Sequence, residues 1–171
     1  ETYEDTPLDT TYNQVHIPGA NARGTNYVAT EDKVYLALKN RCLVLDPATG
    51  KTIDEFTLPK ETKGDDPPEW GYIGVYKDYL IAGADFVHYL DFLELDELNP
   101  RMRKRSQAFY NYDITASKRL VVMDRHTGEV IWAREAKLGF WHNAIAAGND
   151  TIFCIDMLAP SVAAALKRRM R

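Results

Sequence analysis

The sequence predicts an all-β chain, and three observations predict it. Apolar residues fall in short runs rich in β-branched and aromatic types, at 27–29, 34–38, 42–45, 79–82, 120–123, 130–132 and 152–155, each bounded by turn residues. One hairpin recurs three times, as NYVATEDKVYLAL, YIGVYKDYLIAG and NAIAAGNDTIFCI, with Glu31-Asp32, Lys77-Asp78 and Asn149-Asp150 at its turn. A D-x-x-T-G turn follows the first two hairpins, at Asp46 to Gly50 and Asp124 to Gly128. There the Asp and Thr side chains can bond turn amides, and Gly takes the positive-φ position.

Spacing organises these elements into a repeat. Asp32 to Asp46 is 14 residues and Asp78 to Asp124 is 46, so the second copy carries 32 extra residues between its second and third strands. Asp32 to Asp78 is 46 residues, and Asp78 to Asp150 is 72, or 40 without that insertion. A four-stranded unit of roughly 40 to 45 residues is the period of a β-propeller blade. The expected architecture is an incomplete β-propeller of four-stranded antiparallel blades, with helical insertions after the second strand of blades two and three. Its expected parts are an N-terminal extension over 1–23, blade one over 24–59, blade two over 70–135 with an insertion at 84–115, and the start of blade three with a terminal helix over 140–171. The first insertion is acidic and then basic, broken by Pro100, and too short for its own core. The terminal helix has Pro160 near its start and basic residues in its last turns. With strands alternating in direction, both insertions and the starts of the inner strands crowd one mouth.

Composition narrows the function classes. The chain has 171 residues, 45% hydrophobic and 27% charged, with 21 Lys and Arg against 25 Asp and Glu. A chain this long can bury roughly 70% of its unfolded surface. A propeller closes with roughly four to eight blades, whereas about two and a half are legible, so a fragment of a longer protein is expected. Residues 101–105 and 167–171 hold eight basic residues, and without them the remainder carries −12. An acidic body with two local basic spots is not the broad basic surface of a nucleic-acid binder, and pairing with the acidic residues at 85–97 is the simpler role for the first spot. No apolar stretch approaches the roughly 20 residues of a membrane span. The chain begins at Glu1 without a signal peptide, so the true N-terminus is expected elsewhere. Cys42 and Cys154 each sit in an apolar run and read as small core residues, with a mutual disulfide as the alternative.

The segment Asp124-Arg125-His126-Thr127-Gly128-Glu129-Val130-Ile131-Trp132 resembles the tryptophan-docking repeat of quinoprotein β-propellers, the PQQ-like repeats. The resemblance covers about residues 24–59, 70–83, 116–135 and 141–156. It implies that Asp46, Gly50, Asp124, Thr127, Gly128 and Trp132 are structural repeat positions, with Trp132 packing on the next blade near its Asp-Gly turn. The first copy departs from the pattern, because Asp54 stands where Trp is expected and leaves the docking contact from blade one open. The same repeats occur in proteins that bind no quinone. The preferred expectation is a scaffold or a ligand- or protein-interaction module, with no catalysis assignable to this segment. The alternative is part of a PQQ-dependent dehydrogenase oxidising alcohols or sugars, with PQQ and calcium at the channel. The resemblance also points to a periplasmic or extracellular bacterial protein, completed by further blades of a longer chain.

Candidate site residues follow from the inner strands, which are expected to begin at 22–26, 70–72 and 140–143. Arg23, Asn26, Trp70, His142 and Asn143 then line the channel mouth, where they can meet an anionic, planar or hydroxylated ligand by charge, hydrogen bonding and stacking. The opposing expectation is that they are blade-junction residues with satisfied polar tips. His16, His88 and His126 lack metal-site spacing. No G-x-S-x-G, Walker loop or G-x-G-x-x-G is present, and the carboxylates at Asp65-Asp66 and Asp91/Glu94 lie in loop-like contexts where solvated surface is the default.

Overall fold

Short apolar runs separated by tight turns pair with their sequence neighbours, because a two-residue turn brings adjacent runs together at little entropic cost. The computed structural model describes residues 26–62, 64–87 and 116–158, and every strand pair in them is antiparallel. The first sheet has the order β1 (Tyr27–Ala29), β2 (Val34–Leu38), β3 (Arg41–Leu45), β4 (Thr52–Thr57). A second repeats that order with β5 (Trp70–Tyr76), β6 (Tyr79–Phe86), β7 (Ala116–Asp124) and β8 (Val130–Trp141). One 3-10 turn, His142–Ala144, leads into a third sheet, the hairpin of β9 (Ala146–Gly148) and β10 (Thr151–Phe153). Antiparallel all-β structure is thus as expected.

Strand alternation decides where the core lies. In the first sheet Tyr35 opposes Val44 and Ala37 opposes Cys42, and all four are buried on one face. That face meets Trp70, Ile73, Leu80, Ala82, Val121 and Met123 of the second sheet in one cluster, which Phe56 joins from β4. The opposite face of the second sheet supplies Ile81, Leu120 and Val122, which pack with Phe140, Ile145, Ala147 and Ile152. β6 and β7 are therefore apolar on both faces, as strands covered on both sides must be. Each large side chain buried here contributes about 1.5–3 kcal/mol.

The two D-x-x-T-G turns are built alike. Asp46 Oδ1 accepts from the amides of Ala48 (3.1 Å) and Thr49 (2.7 Å) and from Thr49 Oγ1 (2.7 Å), while Asp124 Oδ1 accepts from the amides of His126 (2.8 Å) and Thr127 (3.0 Å). Gly50 and Gly128 close them at φ of 68° and 73°, where a side chain is strained.

Several expectations need correction. The second sheet continues past the expected insertion start, since β6 runs to Phe86. β8 runs to Trp141 and takes in Phe140 and Trp141, so the third sheet begins at Ala146. The cause is a wide bulge: Arg119 opposes Glu135 but Ser117 opposes Phe140, so β8 loops out between them and then rejoins β7. Cys154 is exposed rather than a core residue, and Cys42 and Cys154 are both free thiols. The two basic clusters, most of the expected insertion over 84–115 and the expected terminal helix from Pro160 lie outside the described residues; the described start of that insertion, to Phe86, is strand and not helix.

Candidate functional site

The junction between the first two sheets is centred on the Asp124–Gly128 turn. A Cβ on Gly128 would stand 2.5 Å from Cδ1 of Phe56, so the bare glycine is the seat of that ring. The first-sheet side chain that sits on this turn is thus Phe56 and not the residue at position 54. Asp54 opposes Val44 as Trp132 opposes Val122, and Phe56 lies two residues further along the same face. Beside it Arg125 Nη1 donates to both carboxylate oxygens of Asp32 (2.8 and 3.0 Å) and to Tyr35 Oη (3.2 Å). Its Nε donates to the Lys77 carbonyl (3.1 Å), and its own carbonyl accepts from Tyr35 Oη (2.9 Å). The hydrogen bond from Arg125, then that from Thr30, holds the Asp32 carboxyl below its ordinary range. Burial pushes the Tyr35 phenol up despite the opposing pull of Arg125.

The second junction reuses the hairpin turns. Lys77 Nζ meets Asp150 Oδ1 at 2.6 Å, and the Asp150 amide donates to Tyr76 Oη at 3.3 Å. Asp32, Asp78 and Asp150, equivalent in the three hairpins, each accept a cation or imidazole at this edge, with His126 Nε2 3.0 Å from Asp78. Trp132 is 40% exposed and lines an open cleft of about 250 Å³ with Tyr76, Val122 and Ile152.

The residues expected at a channel mouth have separate surroundings. Arg23 lies outside the described residues. Asn26 precedes β1, where its Nδ2 donates to the Ala37 carbonyl (3.3 Å) and its carbonyl accepts from the Ala37 amide (2.7 Å). Trp70 is buried in the first core cluster, and its amide donates to the Lys39 carbonyl (2.7 Å). His142 is buried, with Nε2 2.8 Å from Ser117 Oγ and its ring beside Tyr72 and Phe86. Asn143 is exposed. The Ser117 hydroxyl is wedged against Gly71 and Gly83, where any Cβ would collide with it. A serine that is 0% exposed cannot reach a substrate, so the Ser117–His142 pair is a packing element rather than a nucleophile and base.

Sequence reasoning missed a cavity at the edge where β6 ends and β7 begins. The β8 bulge forms one wall, and Asp156 holds it from behind: its carboxylate accepts from the amides of Lys137 (2.7 Å), Leu138 (2.8 Å) and Gly139 (2.9 Å). Burial raises the Asp156 pKa, but these amide bonds outweigh it and hold the carboxyl below its ordinary value. The cavity, about 350 Å³, is lined by Glu61, Val87, Lys118, Arg119 and residues 135–138. The available signal was the pair Lys118-Arg119 interrupting an otherwise apolar strand.

Among the described residues no group of three or more His, Cys, Asp or Glu side chains is arranged to hold a metal ion. The carboxylates of Asp46, Asp124 and Asp156 are taken up by backbone amides, and the two cysteines lie apart, one buried and one exposed. No helix of the described residues is long and apolar enough to cross a membrane. No protein-family model matches the chain, and no curated protein matches it.

Proposed function

We propose that the chain is a segment of a PQQ-like repeat β-propeller that serves as a scaffold and interaction module, without catalysis of its own. The observation that carries this reading is the seating of Phe56 on Gly128, an aromatic ring from the outer strand of one four-stranded sheet against the Asp-Gly turn of the next. Two sheets of identical strand order, identical D-x-x-T-G turns and equivalent hairpin acids support it. In this reading the residues at both junctions are structural, and further blades of a longer chain close the ring. The edge that carries the β6–β7 connection is the surface that meets a partner or ligand.

Two measurements on the full-length protein test the proposal. Electron microscopy is expected to show a closed ring of stacked sheets, and an open or unrelated arrangement would overturn the propeller reading. PQQ added with Ca²⁺ is expected to leave no bound quinone absorbance and no dye reduction with alcohols or sugars. Stoichiometric binding with turnover would replace the scaffold reading by the dehydrogenase one.

A further inference from the structure

We propose that the outward face of the first sheet docks the third sheet of a second copy of this chain, so that copies associate head to tail. The inference rests on how the three sheets stack and does not depend on the PQQ-like reading. Alternation along β2 and β3 turns Tyr35 and Val44 toward the second sheet, which leaves Val34, Leu36, Leu43 and Leu45 on the opposite face. All four are aliphatic and only half-buried, and neither apolar cluster of the described residues includes them. Tyr27, which opposes Leu36 from β1, extends the same face at 51% exposure. A contiguous apolar face of this kind marks an interaction surface.

The same face occurs a second time in the molecule, and there it is covered. Counted from the hairpin acid, Val34 and Leu36 correspond to Leu80 and Ala82; counted from the Asp of the D-x-x-T-G turn, Leu43 and Leu45 correspond to Val121 and Met123. The cross-strand register agrees: Val34 opposes Leu45 and Leu36 opposes Leu43, as Leu80 opposes Met123 and Ala82 opposes Val121. The first sheet packs on that second set, and none of its four residues is more than 1% exposed. The complementary half of the contact stands at the far end of the stack. Tyr35, turned toward the second sheet, has Ile81 as its equivalent, turned toward the third, and the equivalent in the third sheet is Phe153. Phe153 is 61% exposed, and Ile155 two residues on is 52% exposed. The two halves of one contact, carried at opposite ends of the stack and related by the step that relates the sheets themselves, make a heterologous contact between copies.

The test is sedimentation velocity on the intact chain between about 1 and 500 µM, the range in which a small, weak interface associates. The average mass is expected to climb past that of a dimer with concentration, since each copy added offers a fresh face. Phe153→Asp and Leu36→Asp, each checked for folding by circular dichroism, should each weaken association at least about tenfold. Mixed one to one, the two variants are expected to form a dimer and nothing larger, because each keeps one working face. If Leu36→Asp does not fold, Phe153→Asp added to the native chain carries the test: it should cap growth and lower the average mass. A monomer at every concentration, association that Phe153→Asp leaves unchanged, or folded variants that stay monomeric when mixed overturns the proposal. The first of these results gives the face to residues 1–25 or to further blades of the same chain, and leaves the propeller reading standing.

Discussion

Single residues hold this structure where strand pairing stops. At Asp46, Asp124 and Asp156 a carboxylate takes backbone amides that have no ladder partner, and each is held below its ordinary value. Hydrogen bonding from Thr49 leads at Asp46, the amide of His126 leads at Asp124, and at Asp156 the bulge amides prevail over burial. A carboxylate with a depressed folded pKa stabilises fully above its unfolded value of about 3.9, and that stabilisation is lost as pH falls through the folded value. Asp156→Asn should therefore lower stability by about 1 kcal/mol at neutral pH and flatten the acid limb of the stability curve, as read from melting temperatures between about pH 2.5 and 6. The turn glycines offer a paired comparison. Gly50 and Gly128 have similar positive φ, but an added Cβ meets nothing within 4 Å at Gly50 and meets the Phe56 ring at Gly128. Gly50→Ala should cost about 1 kcal/mol, from strain alone. Gly128→Ala should cost at least about 1 kcal/mol more by urea denaturation, and Phe56→Ala should erase that difference. Equal losses would mean that the ring is not seated there.

At the scale of elements, hairpin turns from successive sheets are latched to one another. Arg125 joins the turns between β1 and β2, β5 and β6, and β7 and β8, through Asp32, the Lys77 carbonyl and its own backbone. Arg125→Ala should cost about 2 kcal/mol, since it strands the Asp32 carboxylate and removes a partner from the hydroxyl of the buried Tyr35. Denaturant midpoints check it, and Arg125→Lys should recover only part of the loss because one ammonium cannot serve all three acceptors. Tyr27–Ala29 and Val34–Leu38 were legible residue for residue, because alternation and a two-residue turn decide them locally. β8 was legible only at its start. Its second half, Glu135 to Trp141, contains no apolar run before Leu138 and owes its extended form to pairing with Ala116 and Ser117 and to the Asp156 clamp.

At the scale of the whole fold the second sheet is the interior of the described residues. It is covered by the first sheet on one face and by the β9–β10 hairpin on the other, whereas β10 keeps Phe153 exposed. Hydrogen exchange should accordingly be slowest at the amides of β6 and β7 and faster by about tenfold or more in β1 and in the β9–β10 hairpin, since opening the central strands requires both apolar clusters to separate. Comparable protection in β10 would contradict that ordering.

The antiparallel all-β class, the first two hairpins and the two D-x-x-T-G turns were determined by the sequence alone, because each depends on side-chain alternation and on turn chemistry within a few residues. The expected channel-mouth group was not: the tertiary structure buries Trp70 and His142 and leaves Asn143 exposed. Only the tertiary structure decided that Phe56 docks on Gly128, that Arg125 latches three turns, and that Arg119 looks into a cavity behind a clamped bulge. Each of those contacts joins residues that are distant in the chain, and such proximity exists only once the sheets have stacked.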